Sequence, residues 1–409
     1  MSTKAHVMPR TIFVLIVLLL KSGAFVQGQA QNEGGLPGKK LYVMSNQAEE
    51  NTIIVFKRAN DGRLTRIQEV PTGGLGSGPG VLPSFLPSGP GPNPLQSQDS
   101  LIKTEDGRFL LAVNAGSNEI SVLAIKKDGL AVTDKVSSAG VFPVSIAYCR
   151  GIVYVINEGA PATQIEEPNG IPTMAGFHLD SAGHLHYIPG SKRVIGDQGS
   201  NPGDVAFSPD GSHLIVSEKF SDLIDVFPIQ TDGRTGEPIR LPTDNLTPFG
   251  MTFAHHRVLA VTYANSFLED GRRNTVPRGS TTATYQLEED GVLVPISRSV
   301  PNNQTASCWI RVTPNGRFAY VTSKGTGAIS LYSLSPKGEL SLIEEVAADT
   351  GQPLSGPIDL AITPDGKYLY VLISFAGAIE GYHIEKDGSL TRITRIDGFP
   401  VPTQGIVAF

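Results

Sequence analysis

The stretch P-D-G-S-H-L-I-V, residues 209–216, is a turn followed by a short apolar strand, and the chain repeats this pattern. It returns as P-N-G-R-F-A-Y-V at residues 314–321 and as P-D-G-K-Y-L-Y-V at residues 364–371. A weaker copy, E-D-G-R-F-L-L-A-V, occupies residues 105–113. The copies lie about 50 residues apart or a multiple of that distance, which is typical of an architecture in which each repeat forms one small sheet.

Each repeat supplies four strand patterns: a short inner strand that proline often opens, the strand after the turn, a third strand, and a fourth strand introduced by Asp-Gly. These Asp-Gly pairs stand at residues 61–62, 128–129, 290–291 and 387–388. Alternating apolar runs interrupted by Asp-Gly are typical of strands joined by hairpins. The second strands set the number of repeats, and we count seven of them: residues 41–45, 109–114, 152–157, 213–217, 258–263, 318–322 and 368–373.

The second strand of the first repeat, residues 41–45, has no inner strand before it. The C-terminal residues 402–409, P-T-Q-G-I-V-A-F, repeat the inner-strand pattern. We therefore predict an all-β chain whose residues 31–409 form a single seven-bladed β-propeller, closed into a ring by the C-terminal strand of the first blade. A seven-stranded sandwich is the alternative, but it does not explain four strands in each period.

The N-terminal residues 1–30 have a different composition. Lys4 and Arg10 precede an apolar run at residues 11–20, and small residues follow up to Ala30. This order predicts a secretory signal peptide cleaved near residues 28–30, with a signal anchor as the alternative. We therefore expect a secreted protein that is not attached to a membrane after cleavage.

If the chain is exported, two of its asparagines are candidates for glycosylation. Asn245 and Asn303 begin N-x-T sequons and are predicted glycosylation sites. Cys149 and Cys308 are predicted to be buried free thiols, because the repeat places them at opposite ends of inner strands three blades apart.

The net charge of -6 does not indicate a basic surface, so nucleic acid is not an expected partner. The oligomeric state stays open.

Three long insertions interrupt the repeat, at residues 72–95, 159–175 and 265–281, and all three map to the face where the inner strands begin. We call this the upper face. Long loops on a rigid scaffold often bind ligands, so we predict a small-molecule pocket there, with surface decoration as the alternative. The third insertion carries three arginines that could hold an anionic group: Arg272, Arg273 and Arg278.

The repeat also predicts which side chains line the mouth of the central channel. The predicted walls are Trp309, Phe249 and Ile358, the predicted binding carboxylates are Asp99, Asp204 and Asp359, and the predicted catalytic groups on the rim are Asn114, Glu218 and Lys324. Apolar walls with few polar anchors suit a small-molecule site. The alternatives are a core role for Trp309, backbone-binding roles for Asp204 and Asp359, and solvated rim charges at Glu218 and Lys324. No metal-ligand spacing or cofactor motif is present, so no metal or cofactor is expected.

With these turn and hairpin motifs, the chain resembles the seven-bladed lactonase family, which includes 6-phosphogluconolactonases and 3-carboxymuconate cyclases. The resemblance implies histidine and arginine at the opening of an inner strand, and a glutamate on the rim. Here Gln-Asp-Ser stands at residues 98–100 and Pro-Gly-Asp at residues 202–204. Glu218 can be matched loosely to the family glutamate, but the expected histidines and arginine are absent, which removes the groups that would hold a carboxylate and take a proton.

By class, the chain is also similar to the exported hetero-Diels–Alderases of fungal tropolone–sesquiterpenoid biosynthesis. This likeness implies a secreted, cofactor-free cyclase that joins a polyketide-derived quinone methide to a terpene olefin. Orientation alone can drive such a reaction, with Lys324, Asn114 or an arginine of the third insertion as hydrogen-bond donor. A lactonase or carboxymuconate-cyclase-like enzyme with a displaced catalytic set is the second hypothesis. A non-catalytic secreted adhesin or binding protein is the third.

Overall fold

The computed structural model describes residues 38–81, 90–91, 95–127, 129–160, 170–269, 272–351 and 355–409. The predicted signal peptide and Asp128 lie outside the described residues, as do parts of all three long insertions. Export and the extent of the domain therefore stay predictions. Within the described ranges we find no helix with the length and hydropathy of a membrane span.

The described residues contain seven sheets of four or more strands, which we number as blades 1 to 7 in the order of their second strands. The inner strands of blades 1 to 7 are Ile406–Ala408, Leu101–Lys103, Pro143–Cys149, Pro202–Phe207, Pro248–Phe253, Ser307–Val312 and Pro357–Ile362. The second strands are Lys40–Met44, Phe109–Asn114, Ile152–Asn157, His213–Glu218, Val258–Tyr263, Phe318–Ser323 and Tyr368–Ile373.

The third strands are Thr52–Arg58, Glu119–Lys126, Thr173–Leu179, Leu223–Pro228, Thr281–Leu287, Ala328–Leu334 and Ala378–Ile384. The fourth strands are Leu64–Pro71, Gly129–Ser137, Leu185–Tyr187, Ile239–Pro242, Leu293–Pro301, Leu340–Asp349 and Leu390–Asp397, and Arg193–Val194 adds a short strand to blade 3. Two ribbons, Gly80–Val81 with Pro90–Gly91 and Ser266–Glu269 with Arg272–Thr275, and two 3₁₀ turns, Ala115–Ser117 and His255–Arg257, complete the described elements.

Each inner strand contacts the inner strands of the two neighbouring blades, and the contacts run around a closed ring. The all-β, seven-bladed propeller is therefore confirmed. The predicted second strands agree with the structure to within a residue at each end. The largest differences concern inner strands: that of blade 2 begins only at Leu101, and that of blade 1 is confined to Ile406–Ala408.

The C-terminal strand completes blade 1, as predicted. Leu41 pairs with Ala408 and Val43 with Ile406 in an antiparallel ladder. The ring of Phe409 lies edge-on to that of Tyr42, with centroids 5.5 Å apart. The two ends of the described chain are therefore joined within one sheet.

The repeated turn follows from its residue types. In the copies at residues 209, 314 and 364, the glycine at the third position has a φ of 72°, 69° and 69°, a conformation that glycine adopts without steric cost. The preceding Asp or Asn accepts a hydrogen bond from the backbone nitrogen two residues later, as Asp210 does from Ser212 at 3.0 Å. The motif therefore closes its own turn before the strand begins.

A tyrosine in the second strand connects several blades to the hairpin of the next blade. The hydroxyl of Tyr154 donates to Gly233 O at 2.8 Å, Tyr320 to Gly388 O at 2.6 Å and Tyr370 to Gly62 O at 2.6 Å. The two repeated motifs, the turn with its tyrosine strand and the Asp-Gly hairpin, thus meet between neighbouring blades. We call each such pair a tyrosine latch.

Replacing Tyr320 by Phe is expected to lower the free energy of unfolding by about 1–2 kcal/mol, because the buried carbonyl of Gly388 loses its donor. Tyr42 is the matched control, since its buried hydroxyl has no hydrogen-bond partner in the described part of the chain. Tyr42→Phe should therefore leave stability unchanged or raise it. Urea unfolding of both variants checks the prediction, and equal effects would show that the latch contributes nothing specific.

Candidate functional site

Residues 96–99 cross the central channel, and we call them the crossing segment. Gln96 and Asp99 bracket it with φ values of 47° and 59°, in the left-handed region. Between them, Ser97 and Gln98 are 0% exposed. These turns take the chain away from the inner-strand position of blade 2, which explains why that strand begins late.

The side chain of Gln98 connects three blades across the channel. Its amide nitrogen donates to Asp204 Oδ2 at 2.9 Å and to Met251 O at 2.6 Å, in blades 4 and 5. Its amide oxygen accepts from Ile310 N of blade 6 at 3.0 Å. A buried polar group without a partner costs about 1–3 kcal/mol, so these bonds hold the segment in a defined position.

Ser97 adds contacts in other directions. Its carbonyl oxygen accepts from Trp309 Nε1 at 2.8 Å and from Gln404 Nε2 at 2.7 Å, and its hydroxyl donates to Val144 O at 2.7 Å. Together with Gln98, the segment reaches blades 1, 3, 4, 5 and 6. It therefore lies among the residues that were predicted to line the mouth of the channel.

This placement decides the surroundings of the predicted wall residues. Trp309 and Ile358 are fully buried and Phe249 is nearly so. The rings of Phe249 and Trp309 pack with centroids 4.9 Å apart, and the indole is bonded to the crossing segment. Their role as walls of a ligand pocket stays a prediction.

The predicted carboxylates also lie around the crossing segment. Asp204 Oδ2 accepts from Met251 N of the neighbouring blade at 2.8 Å, and Asp359 Oδ1 accepts from Leu360 N at 3.0 Å. Burial raises the pKa of both carboxyls, that of Asp359 to about 7. Asp99 forms an ion pair with Arg311. In the structure, Asp204 and Asp359 thus bind backbone amides.

Glu218 belongs to a different group of side chains, on one face of blade 4. Asp225 pairs with Val216 in the sheet, and Arg240 pairs with Asp225. Glu218 follows Val216 by two residues, so Glu218, Asp225 and Arg240 project from the same face. The register of three strands therefore brings two carboxylates and a guanidinium together.

The two carboxylates of this group are 0% exposed, and none of their oxygens accepts a hydrogen bond of good geometry from another described residue. Arg240 Nε lies 3.6 Å from Asp225 Oδ2. Gly196 of the loop before blade 4 leaves room for Glu218, because a Cβ at that position would lie 2.3 Å from Glu218 Oε2. The loop can approach the carboxylate only because residue 196 is glycine.

A cavity of about 430 Å³ lies between this loop and blade 4, and we call it the interblade cavity. It is lined by Gly196, Asp197, Gln198, Gly199, Ser200, Glu218, Phe220, Ser221, Leu223 and Arg240. Its volume falls within the range of small-molecule sites, about 300–1,000 Å³. Glu218 and Arg240 therefore line one polar cavity, in which Glu218 is buried and the Arg240 side chain is 55% exposed.

Burial, followed by the charge of Asp225, raises the pKa of Glu218 to about 7. Burial also raises the pKa of Asp225, although Arg240 opposes the effect. Two carboxyls in such proximity are not both ionised easily, so the pair retains a proton near neutral pH. A carboxyl with this pKa can take up or release a proton at physiological pH, as general acid–base chemistry requires.

Comparison with known proteins bears on the fold. Residues 274–409 match the family model of lactonases with a seven-bladed β-propeller. The matched part contains blades 6 and 7, the third and fourth strands of blade 5 and the closing strand, whereas Glu218 and Asp225 lie before it. No curated protein matches the chain in sequence.

Solved structures share the propeller over nearly its whole length. The chain is similar to a candidate 6-phosphogluconolactonase from Bacteroides fragilis, at 18% identity, a TM-score of 0.61, and coverage of 90% of this chain and 98% of the other. It is also similar to the periplasmic gluconolactonase PpgL of Pseudomonas aeruginosa, at 16% identity, a TM-score of 0.63, and the same coverage. A candidate 6-phosphogluconolactonase from Bacteroides uniformis is 22% identical, with a TM-score of 0.60 and coverage of 90% and 99%. At these identities the likeness concerns the fold.

Asn114 and Lys324, the other predicted catalytic residues, lie apart from Glu218. Asn114 is buried: it accepts from Asn51 Nδ2 at 2.9 Å and from Thr72 Oγ1 at 2.7 Å, and it donates to Ser121 Oγ at 2.8 Å. It thus ties the first long insertion to blade 2. Burial lowers the pKa of Lys324. Their catalytic roles stay predictions.

The arginines of the third insertion are spread along it. Arg272 and Arg273 belong to a two-stranded ribbon, and their side chains lie outside the described part of the structure. Arg278 is exposed, and its backbone nitrogen donates to Thr305 Oγ1 at 2.9 Å. Their predicted binding of an anionic group is untested.

Near the upper end of the channel, Glu158 and Lys219 form a second buried charged group. Burial raises the pKa of Glu158 to about 7, and the nearby charge of Lys219 opposes that effect. The ammonium of Lys219 lies 5.1 Å from the ring centroid of Phe249. This group is separate from the interblade cavity, whose lining it does not share.

The predicted modification sites and cysteines also have defined surroundings. Asn245 is buried, and its amide nitrogen donates to Arg298 O at 2.8 Å, whereas Asn303 is exposed. Glycosylation at either residue stays a prediction. Cys149 and Cys308 are buried free thiols, as expected. Among the described residues, no group of three His, Cys, Asp or Glu side chains is arranged to hold a metal ion.

Several residues of the site were not found from the sequence. Asp225 stands in the strand L-I-D-V-F-P, where a charged residue interrupts an apolar run, and that interruption was the available signal. Arg240 and Ser200 carried no signal, because a fourth strand and a loop are ordinarily polar. At Gln98 the sequence shows only that the histidine implied by the family resemblance is absent, although the Gln98 side chain contacts three blades.

Proposed function

We propose that this protein is an enzyme that opens or closes the ring of a small lactone, and that the reaction takes place in the interblade cavity with Glu218 as the proton carrier. The observation behind the proposal is the buried Glu218–Asp225 pair beside Arg240, with Glu218 and Arg240 lining a cavity of suitable size. The lactonase family match of residues 274–409 and the likeness to gluconolactonases give independent support for the substrate class.

The roles follow from the chemistry of ring opening. Glu218, as carboxylate, takes a proton from a water molecule while the water oxygen bonds to the lactone carbonyl carbon. The guanidinium of Arg240 stabilises the charge on the carbonyl oxygen, and Glu218 then returns the proton to the departing ring oxygen. The product is a hydroxy acid, and the same steps in reverse close the ring. General base catalysis and one oxyanion contact are each worth about 10²–10³-fold or more.

The sequence hypothesis of a hetero-Diels–Alder reaction has less support. It uses Trp309, Phe249 and Ile358 as walls of a ligand pocket, whereas all three side chains are buried. A secreted adhesin stays the third hypothesis, and no described contact favours it.

Purified protein is expected to open glucono-δ-lactone or dihydrocoumarin, with a value of kcat/KM that rises with pH through about 7. The sign follows because Glu218, whose pKa burial raises to about 7, acts as a base only when ionised. A pH-stat assay, corrected for spontaneous opening, measures both quantities. The absence of opening across sugar, aliphatic and aromatic lactones would reject the proposed function.

A further inference from the structure

The lower end of the central channel, opposite the long insertions, contains a second cavity. It has a volume of about 400 Å³, and we call it the lower channel cavity. Its walls come from the inner strands and following turns of every described blade except blade 3, and most of them are apolar, for example Leu101, Phe207, Met251, Val312 and Ile362. Such walls and such a volume suit a small ligand with a hydrocarbon body.

The cavity has a charged inner end. Asp99 and Arg311 form an ion pair there, and about a fifth of each side chain is exposed. A largely buried ion pair loses hydration that its own attraction repays only in part, so it is not the arrangement that stability alone would favour. Its position at the end of an apolar cavity points to a ligand.

Arg311 is held in place for such a role. Its guanidinium binds Asp99, and Nη1 donates to Ile310 O at 3.3 Å. Burial lowers its pKa, but the carboxyls of Asp99, Asp359 and Asp204 outweigh burial and raise it. A guanidinium has five N–H donors, and the contacts within the described chain use two of them.

Lys103 adds a second positive charge at the side of the cavity. Its ammonium donates to Ala408 O at 2.8 Å and lies 4.2 Å from the ring centroid of Phe409.

Among the side chains that line the cavity, Arg311 and Lys103 stand against one carboxylate, that of Asp99. The carboxyls of Asp359 and Asp204 also act on Arg311, but burial raises the pKa of both and so reduces their negative charge. Burial lowers the pKa of Lys103 to about 8, which leaves it mostly protonated at neutral pH. The cavity therefore favours an anion.

We propose that the lower channel cavity binds a medium-chain or aromatic monocarboxylate, with the carboxylate on Arg311 and the hydrocarbon body against the apolar walls. A planar guanidinium matches the two oxygens of a carboxylate better than it matches a halide or an alcohol. This site is independent of the interblade cavity and does not rest on the proposed reaction.

Trp309 serves as a reporter for the test. It is the only tryptophan of the chain, it precedes Arg311 by two residues on one inner strand, and its indole bonds to the crossing segment. Titrating the protein with sodium octanoate, and separately with 1-octanol, should change its fluorescence, with calorimetry as the second readout. We expect saturable octanoate binding that is at least about tenfold tighter than octanol binding, since a charge-assisted bond is worth about 1.5–3 kcal/mol.

Two variants locate the site. Arg311→Met should reduce octanoate binding to the level of octanol. Because that variant leaves Asp99 without its partner, Ala206→Phe is the second test: it adds bulk to the cavity wall without removing a charge. It should weaken octanoate binding at least tenfold and leave lactone opening unchanged. Ala131→Phe, on the fourth strand of blade 2, is the matched control and should bind octanoate normally.

Three results would overturn the proposal. They are equal affinity for octanoate and octanol, no octanoate binding at millimolar concentration, and octanoate binding that Ala206→Phe leaves unchanged. The first would show that the ion pair does not select an anion. The other two would show that the cavity is empty of such ligands or that they bind elsewhere.

Discussion

Removal of residues 402–409 is expected to abolish the monomeric fold. The deletion takes away the inner strand of blade 1, with its ladder to Leu41 and Val43 and the bond from Arg58 Nη2 to Phe409 O at 2.8 Å. It also removes Gln404, whose amide supports the crossing segment. The loss of several buried apolar side chains and a strand ladder is comparable to the ~5–15 kcal/mol by which a domain is stable.

The exposed edge makes the expected product an aggregate. The freed strand Lys40–Met44 is apolar and buried in the intact ring, so its unpaired backbone becomes a template for other chains. Size-exclusion chromatography with light scattering measures the outcome. A variant with eight Gly and Ser residues added after Phe409 is the control, because it alters the terminus but keeps the strand. A monomeric deletion variant with unchanged melting would contradict the closure.

Replacement of Glu218 by Gln is expected to lower kcat for lactone opening by about 10²–10⁴-fold, because the amide cannot carry the proton. The same variant is expected to be more stable than the parent at pH 8 and similar to it at pH 5. In the parent, a carboxyl with a pKa raised to about 7 binds its proton more tightly when folded. Stability therefore falls as pH rises from the unfolded pKa towards 7, by on the order of 1–3 kcal/mol, and the Gln variant avoids this loss.

Glu158→Gln is the matched control for this experiment. Glu158 is also buried and has a pKa raised to about 7, but it does not line the interblade cavity. The control should therefore show the same pH trend in melting temperature, with lactone opening retained. If Glu158→Gln abolished opening and Glu218→Gln did not, the reaction would have to be placed at the upper end of the channel instead.

The sequence predicted the fold in detail because the fold is built from local rules. The Pro-Asp-Gly turn closes by bonds within four residues, and Asp-Gly hairpins and alternating strands are equally local. The closing role of residues 402–409 followed from a count of strands. The late start of the inner strand in blade 2 was not predicted, because it depends on contacts between Gln98 and residues more than 100 positions away.

The candidate site was predicted only in part for a related reason. Glu218 was identified from its place at the end of a second strand. Its partners are set by the register of two further strands and by the room that Gly196 leaves. The sequence does not single out Arg311, which follows Trp309 by two residues, because it lies near the lower end of its inner strand and away from the long insertions. A repeat fixes which residues are equivalent, but it does not state which of them will face each other across the ring.

The tyrosine latch between blades 7 and 1 has a consequence for synthesis of the chain. Tyr370 donates a hydrogen bond to the carbonyl of Gly62, which lies 308 residues earlier in the chain. Arg58 donates to the carbonyl of Phe409, which lies 351 residues later. Synthesis proceeds at about 5–20 residues per second. The second, third and fourth strands of blade 1 therefore remain on the growing chain for on the order of 20–70 s before their C-terminal partners are made. During that interval the edge of the strand Lys40–Met44 is open and can pair with other chains until Ile406–Ala408 has been synthesised.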